Sequence, residues 1–131
     1  MKDFPEPYLT TRFVLSDPPQ PLPASFAIVT AINPMDEVRP EAANHEADQK
    51  LKTLLEERRA SFFRATGTSP DLAHQEPGWA VMTDRPSALE IGRHFGQRAI
   101  WWIEDDDLHL LSCQSSDSLL LGSFLKRIHE P

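Results

Sequence analysis

Few residues of this chain carry groups that could act on a ligand, and they are scattered along it. Glu76 precedes an apolar run and has no local partner in sequence. Such a carboxylate can serve as a general acid or base when partial burial lifts its pKa toward neutrality. The plainer alternative is a rim carboxylate paired with Arg98 or another arginine. Asn33, Asn44, Gln97 and Arg98 are the hydrogen-bonding side chains that could orient a small polar or nucleotide-like ligand. Asn33 stands before Pro34, and asparagine followed by proline starts turns. Asn44 either bonds the backbone of that turn or contacts the ligand.

Other reactive types fit less well. His74 and Glu76 are too sparse for a metal site, which needs three or four convergent ligands, so no metal is expected. His94 lies near a helix C-terminus, where a histidine is favoured electrostatically. The single cysteine, Cys113, reads as a small core residue rather than a nucleophile. With no phosphate-binding loop, dinucleotide glycine fingerprint or nucleophile elbow, no cofactor is expected either.

Composition narrows the classes further. The net charge of −7 over 131 residues argues against general nucleic-acid binding, which needs Lys and Arg against phosphates. Arg58, Arg59 and Arg64 form one basic spot, read as solvating a helix end. One cysteine excludes an internal disulfide and suits a reducing compartment. No apolar segment reaches membrane-spanning length. The expectation is a small, acidic, cytoplasmic protein of one domain, monomer or homodimer.

The elements that must position these residues follow from pattern. Eight of the twelve prolines fall in residues 1–40, and "DPPQPLP" (17–23) excludes helix and central strand. Residues 1–24 therefore form a proline-rich arm, with an edge strand at 8–15. An α/β core spans 25–113, with strands at 25–31, 61–67, 79–83, 98–104 and 108–113. Ala47, Leu51, Leu54 and Leu55 make the apolar face of a helix over 41–60. A second helix runs from Asp84 as cap, through Pro86 in its first turn, to Gly96 as stop. Over 114–131, Leu121, Phe124, Leu125 and Ile128 recur at helical spacing and predict a short C-terminal helix.

The order β-α-β-β-α-β predicts an α+β, ferredoxin-like split β-α-β sandwich. An N-terminal strand, a C-terminal hairpin strand and the last helix would extend it. Both faces of 98–104 are apolar, so the second face needs a cover: the C-terminal helix, the arm or a partner subunit. In that topology one end of the sheet collects Asn33, Asn44, His45, His74, Glu76, His94, Gln97 and Arg98.

The segments "TAINP" (30–34), Asn44, Leu51, 76–81 and "FGQRAIWW" (95–102) together resemble a bacterial family of small uncharacterised proteins. That family combines a Thr-Ala-x-Asn-Pro turn with a later Phe-Gly-Gln-x-Ala element. The resemblance covers about residues 8–113. Ile32 departs from it where an aromatic is usual, and Met35-Asp36 replaces a glycine-containing turn. It implies no activity. Two functions follow from the residues themselves. One is a site for a small polar or nucleotide-like ligand at the rim, with Glu76 as acid or base if there is catalysis. The other is a non-enzymatic interaction or regulatory module, binding a protein through an apolar sheet face around Trp101 and Trp102 or through the acidic turn Asp105 to Asp107.

Overall fold

The computed structural model of the chain describes residues 4–129. The first three residues of the predicted arm and the last two of the predicted C-terminal helix lie outside them. Seven strands form one antiparallel sheet in the order β1-β3-β4-β2-β5-β6-β7. They are β1 (Arg12–Ser16), β2 (Ser25–Val29), β3 (Phe62–Thr68), β4 (Gln75–Val81), β5 (Ala99–Glu104), β6 (Asp107–Ser112) and β7 (Ser118–Ser123). Three helices accompany them: α1 (Glu6–Leu9), α2 (Glu41–Glu57) and α3 (Arg85–His94). Among the described residues no helix is long and apolar enough to cross a membrane.

The chain is thus α+β, but its sheet is a curled half-barrel and not a simple ferredoxin-like sandwich. Three strands beyond the central β3-β4-β2-β5 set account for the difference. Strand-to-strand twist accumulates over seven members, and the sheet curls as it widens.

The helices form where the periodicity places them. Leu51 and Leu55 of α2 are fully buried against Val29, Trp79 and Val81. Asp84 caps α3 by accepting the Ser87 N–H at 2.8 Å, and Gly96 ends the segment at φ +69°. Gly92 lets α3 approach the sheet closely. A Cβ there would lie 2.7 Å from Ile100 and 2.8 Å from the Cys113 sulfur. Burial in that contact pushes the Cys113 thiol up to about 11, against the opposing pull of Arg93.

The other face departs from expectation. Residues 8–15 do not form one strand: Pro5 and Pro7 set up the short helix α1, and the strand starts only at Arg12. The C-terminal helix is absent among the described residues. Its place is taken by β7, paired with β6, and a 3-10 turn at Leu125–Arg127. Two apolar periods compete in this tail. Leu119 and Leu121 alternate with exposed neighbours, β6 offers a free edge, and Gly122 at φ +91° is no helical residue.

The cover for the second face therefore comes from the arm and the tail. Phe13 is fully buried between Trp101 and Phe124, with both ring centroids at 5.2 Å. Phe4, Tyr8, Leu22 and Ile128 pack on the same cluster. Beyond β7 the chain reaches back to β1, where the His129 N–H donates to the Phe13 carbonyl at 2.8 Å. One isolated bridge, Phe13 with Ile128, joins the tail to that edge.

Candidate functional site

The segment leaving β2 is an unusual turn. Asn33, Met35 and Asp36 all adopt left-handed backbone, at φ +43°, +52° and +64°. Asparagine and aspartate tolerate that region and methionine does not, so surrounding bonds must hold the turn. The Met35 N–H donates to the Gly96 carbonyl at 2.9 Å. Pro34 lies against Gly96, where a Cβ would stand 3.1 Å from the proline ring.

Asn44, reaching back from the first turns of α2, locks the other side. Its Oδ1 accepts the Asn33 N–H at 2.9 Å, and its Nδ2 donates to Asn33 Oδ1 at 2.8 Å and to the Arg39 carbonyl at 3.3 Å. The Arg39 N–H also donates to Asn33 Oδ1, at 3.0 Å. Asn44 thus bonds both the backbone and the side chain of the turn.

Beneath this lock lies a charged pair that pattern reading missed. Asp48 is buried, and it takes the two prongs of the Arg64 guanidinium at 2.8 and 2.9 Å. The same guanidinium stacks 3.7 Å from the Trp79 ring centre and donates to the Gly78 carbonyl. Arg64 is therefore no solvated residue at a helix end. A signal existed: Asp48 stands on the stripe 44, 48, 51, 55, and a carboxylate on a buried face requires a partner.

These residues wall a cleft of about 460 Å³. Asn33, Asn44, Asp48 and Arg64 line it, with Gln75 and Pro77 from the entry of β4. Arg39, His45 and Val38 stand at the same opening. The Arg39 and His45 side chains have no hydrogen-bond or ion-pair partner among the described residues. Helix α2 also starts here, behind Pro40 and without a side-chain cap. Its first-turn N–H groups carry the positive end of the helix dipole.

The remaining polar groups form a second layer. Alternation along β4 sends Trp79 and Val81 toward the helices and Ala80 to the opposite face. Glu76 shares the parity of Ala80, while Gln75 and Pro77 form the cleft wall. The Asn33 side-chain amide favours the charged form of the Glu76 carboxylate. Desolvation pushes the Glu76 pKa up, the Asn33 amide pulls it down, and the nearby Asp36 charge adds a smaller upward push. The residue keeps substantial solvent exposure, so screening moderates the shift.

Asp36 accepts from the Tyr8 hydroxyl at 2.7 Å and pairs with Arg98 Nε at 2.6 Å. The Tyr8 phenol is held well above the ordinary tyrosine range, first by burial and then by Asp36 and Glu76. Nothing in sequence connects Tyr8 with Asp36.

The five sequence-derived site residues therefore meet at one turn, in different roles. Asn33 and Asn44 line the cleft. Arg98 ties down Asp36, and Glu76 lies behind Asn33. Gln97 is buried and internally bonded: its Oε1 accepts from Thr30 at 2.8 Å, and its Nε2 donates to the Ile32 and Phe95 carbonyls at 3.1 and 3.3 Å. His74 lies in the exposed 69–74 loop, and His94 sits edge-on to Phe95 at the end of α3. Neither lines the cleft. Among the described residues no three His, Cys, Asp or Glu side chains form a metal-binding group.

Fold and turn together define an α+β domain with a polar cleft where β2 hands over to α2. Residues 29–100, more than half of the chain, match the family model of a protein of unknown function, DUF3293. The chain belongs to that family. The matched stretch contains the Asn33–Asn44 lock, the Asp48–Arg64 pair, Glu76, Gln97 and Arg98, and it excludes Tyr8, β6 and β7. No curated protein and no solved structure matches the chain.

Proposed function

We propose that the protein binds a small polar ligand bearing an anionic group, of nucleotide-like or carboxylate chemistry, in the cleft beside Asn33. One observation carries this reading: a preformed cleft where the unpartnered Arg39 guanidinium stands at the start of α2, with the exposed Glu41 carboxylate on the same wall. The Arg39 guanidinium is free among the described residues, and the uncapped start of α2 adds its dipole. The volume falls in the range of small-molecule sites. Val38, 90% exposed at the rim, offers an apolar contact to the uncharged part of such a ligand.

In this reading Asn33 and Asn44 shape the wall, and Arg64 is fixed by Asp48. Gln97 and Arg98 are positioning residues for the turn. Glu76 supports Asn33 from behind and is not the reacting group. The inner strands with α2 and α3 are read as a split β-α-β unit whose first crossover delivers the turn to the cleft. Placement in a reducing, cytoplasmic compartment rests on the single buried thiol. The alternative of an interaction module, acting through an apolar sheet face or the acidic turn at Asp105–Asp107, has less support, because the arm and tail cover that face.

The test is a thermal-shift panel of carboxylates, inorganic phosphate and nucleoside monophosphates, run on the wild-type protein and on Arg39→Ala. The backbone bonds of Arg39 to the asparagines survive that change. A true ligand at a hundred times its Kd stabilises the fold by about 2.7 kcal/mol, and Arg39→Ala should lose most of the shift. A panel without any shift, or a shift unchanged in the variant, contradicts the reading.

A further inference from the structure

The proline-rich connector takes no part in the cleft. Residues 18–24 fold over the other face of the sheet, at the end where β2 begins. There they close a cavity of about 650 Å³. Phe26, Ile103 and Phe124 form its floor, each 2% exposed or less. Pro21, Leu22 and Pro23 are among the residues of its roof. Proline fixes φ, so this roof has little backbone freedom to lose when a ligand enters.

The carboxylates of Asp105 and Asp106 are the charged groups at the cavity, beside the His129 ring and the Gln20 amide. No lysine or arginine lines it among the described residues. Asp106 is engaged inside the fold, accepting from Ser123 Oγ at 2.5 Å and from the Leu125 N–H at 2.8 Å. The His129 ring is engaged with Thr68 at 3.0 Å. Asp105 differs. Its N–H donates to the Ala24 carbonyl at 2.8 Å, while its exposed carboxylate has no partner among the described residues.

We propose that this cavity is a second ligand site, which takes a small amphiphile with an apolar body and an ammonium head. The body lies between the aromatic floor and the proline roof, and the head pairs with Asp105. An anionic amphiphile such as a fatty acid meets the Asp105 and Asp106 carboxylates and no lysine or arginine among the described residues there, on a protein of net charge −7. A neutral one gains the burial without the ion pair. This site shares no lining residue with the cleft, so either assignment stands or falls alone.

The experiment titrates the full chain with octylammonium, octanol and octanoate at low salt, following backbone amides by two-dimensional NMR. Octylammonium should bind most tightly, about tenfold better than octanoate, and shift the amides of Gln20, Leu22, Ala24 and residues 103–106. Asp105→Asn retains a residue that tolerates the φ of +49°. It should weaken octylammonium about fivefold and leave octanol unchanged. Ala24→Phe, which intrudes on the cavity, should abolish both. Octanoate binding as well as octylammonium, octylammonium indifferent to Asp105→Asn, binding that survives Ala24→Phe, or no binding at all would each overturn the proposal.

Discussion

The two concavities of this molecule lie at opposite ends of β2 and on opposite faces of the sheet, and they are held open by different physics. The cleft is built from polar side chains that satisfy one another: amide against amide at Asn33 and Asn44, guanidinium against carboxylate at Arg64 and Asp48. The cavity is built from aromatic burial and proline stiffness. Polar construction fixes geometry through direction, and each bond lost leaves a desolvated group behind. Apolar construction fixes volume and tolerates rearrangement of shape.

The sharpest test of that contrast is the charged pair. Arg64→Ala strands a buried carboxylate and should cost about 3 kcal/mol in urea unfolding, near the low end for buried pairs. The low end applies because the Arg64 side chain keeps 28% exposure. Arg64→Met combined with Asp48→Leu should recover most of the loss, within about 1 kcal/mol of wild type. A double variant as weak as the single one would show that the stacking on Trp79, not the pairing of charge, holds the site.

A smaller effect is expected at the turn. Asn44→Ala removes acceptors and donors from a strained segment and should cost about 2 kcal/mol. Asn33→Ala adds the penalty of alanine at positive φ. Because the two side chains bond each other, their double-mutant cycle should show a coupling of about 1 kcal/mol. Additive losses would mean that each asparagine acts alone.

Tyr8 is the chain's one tyrosine, so its ionisation is directly visible in ultraviolet absorbance. The phenol should ionise above the ordinary tyrosine value, and Asp36→Asn should bring it down by removing the acceptor and its charge. An unshifted titration in the wild-type protein would detach the arm from the turn.

The smallest effect is expected at Glu76. Its folded pKa lies above the ordinary 4.5, so the folded state holds the proton more tightly. The stability it contributes is fully present below that value and is lost as pH rises through the folded pKa. Glu76→Gln, which keeps an acceptor for Asn33, should flatten this slope and leave the variant slightly more stable at neutral pH. A slope unchanged by the substitution would assign it to another group.

The polar end was the more legible in sequence because its determinants are local. Helix period, the asparagine before proline, the Asp84 cap and the Gly96 stop each act within a few residues, and each appears where pattern places it. The fold-back of Asn44 onto the Asn33 turn follows from its position on the helix stripe. The Arg64 to Asp48 fork joins a strand to a helix, and only the carboxylate on the apolar stripe hinted at it. The tail was misread because 121, 124, 125 and 128 fit a helix while 119 and 121 fit a strand. Pairing with β6 decided between them. The apolar cavity was invisible because it depends on curl, which brings the 17–23 connector over Phe26 and Phe124 only once seven strands are assembled.

The central claim is that the cleft, not the cavity, receives a polar anionic ligand. It is tested most directly by mapping the NMR signals of the full chain in the presence of nucleoside monophosphates at millimolar concentration. The Asn33 and Asn44 side-chain amides, the Arg64 Nε–H and the backbone amides of 38–45 and 75–78, Pro40 and Pro77 apart, should move. Residues 18–24 and 103–106 should stay still. Shifts confined to the cavity, or none at either end, would contradict it.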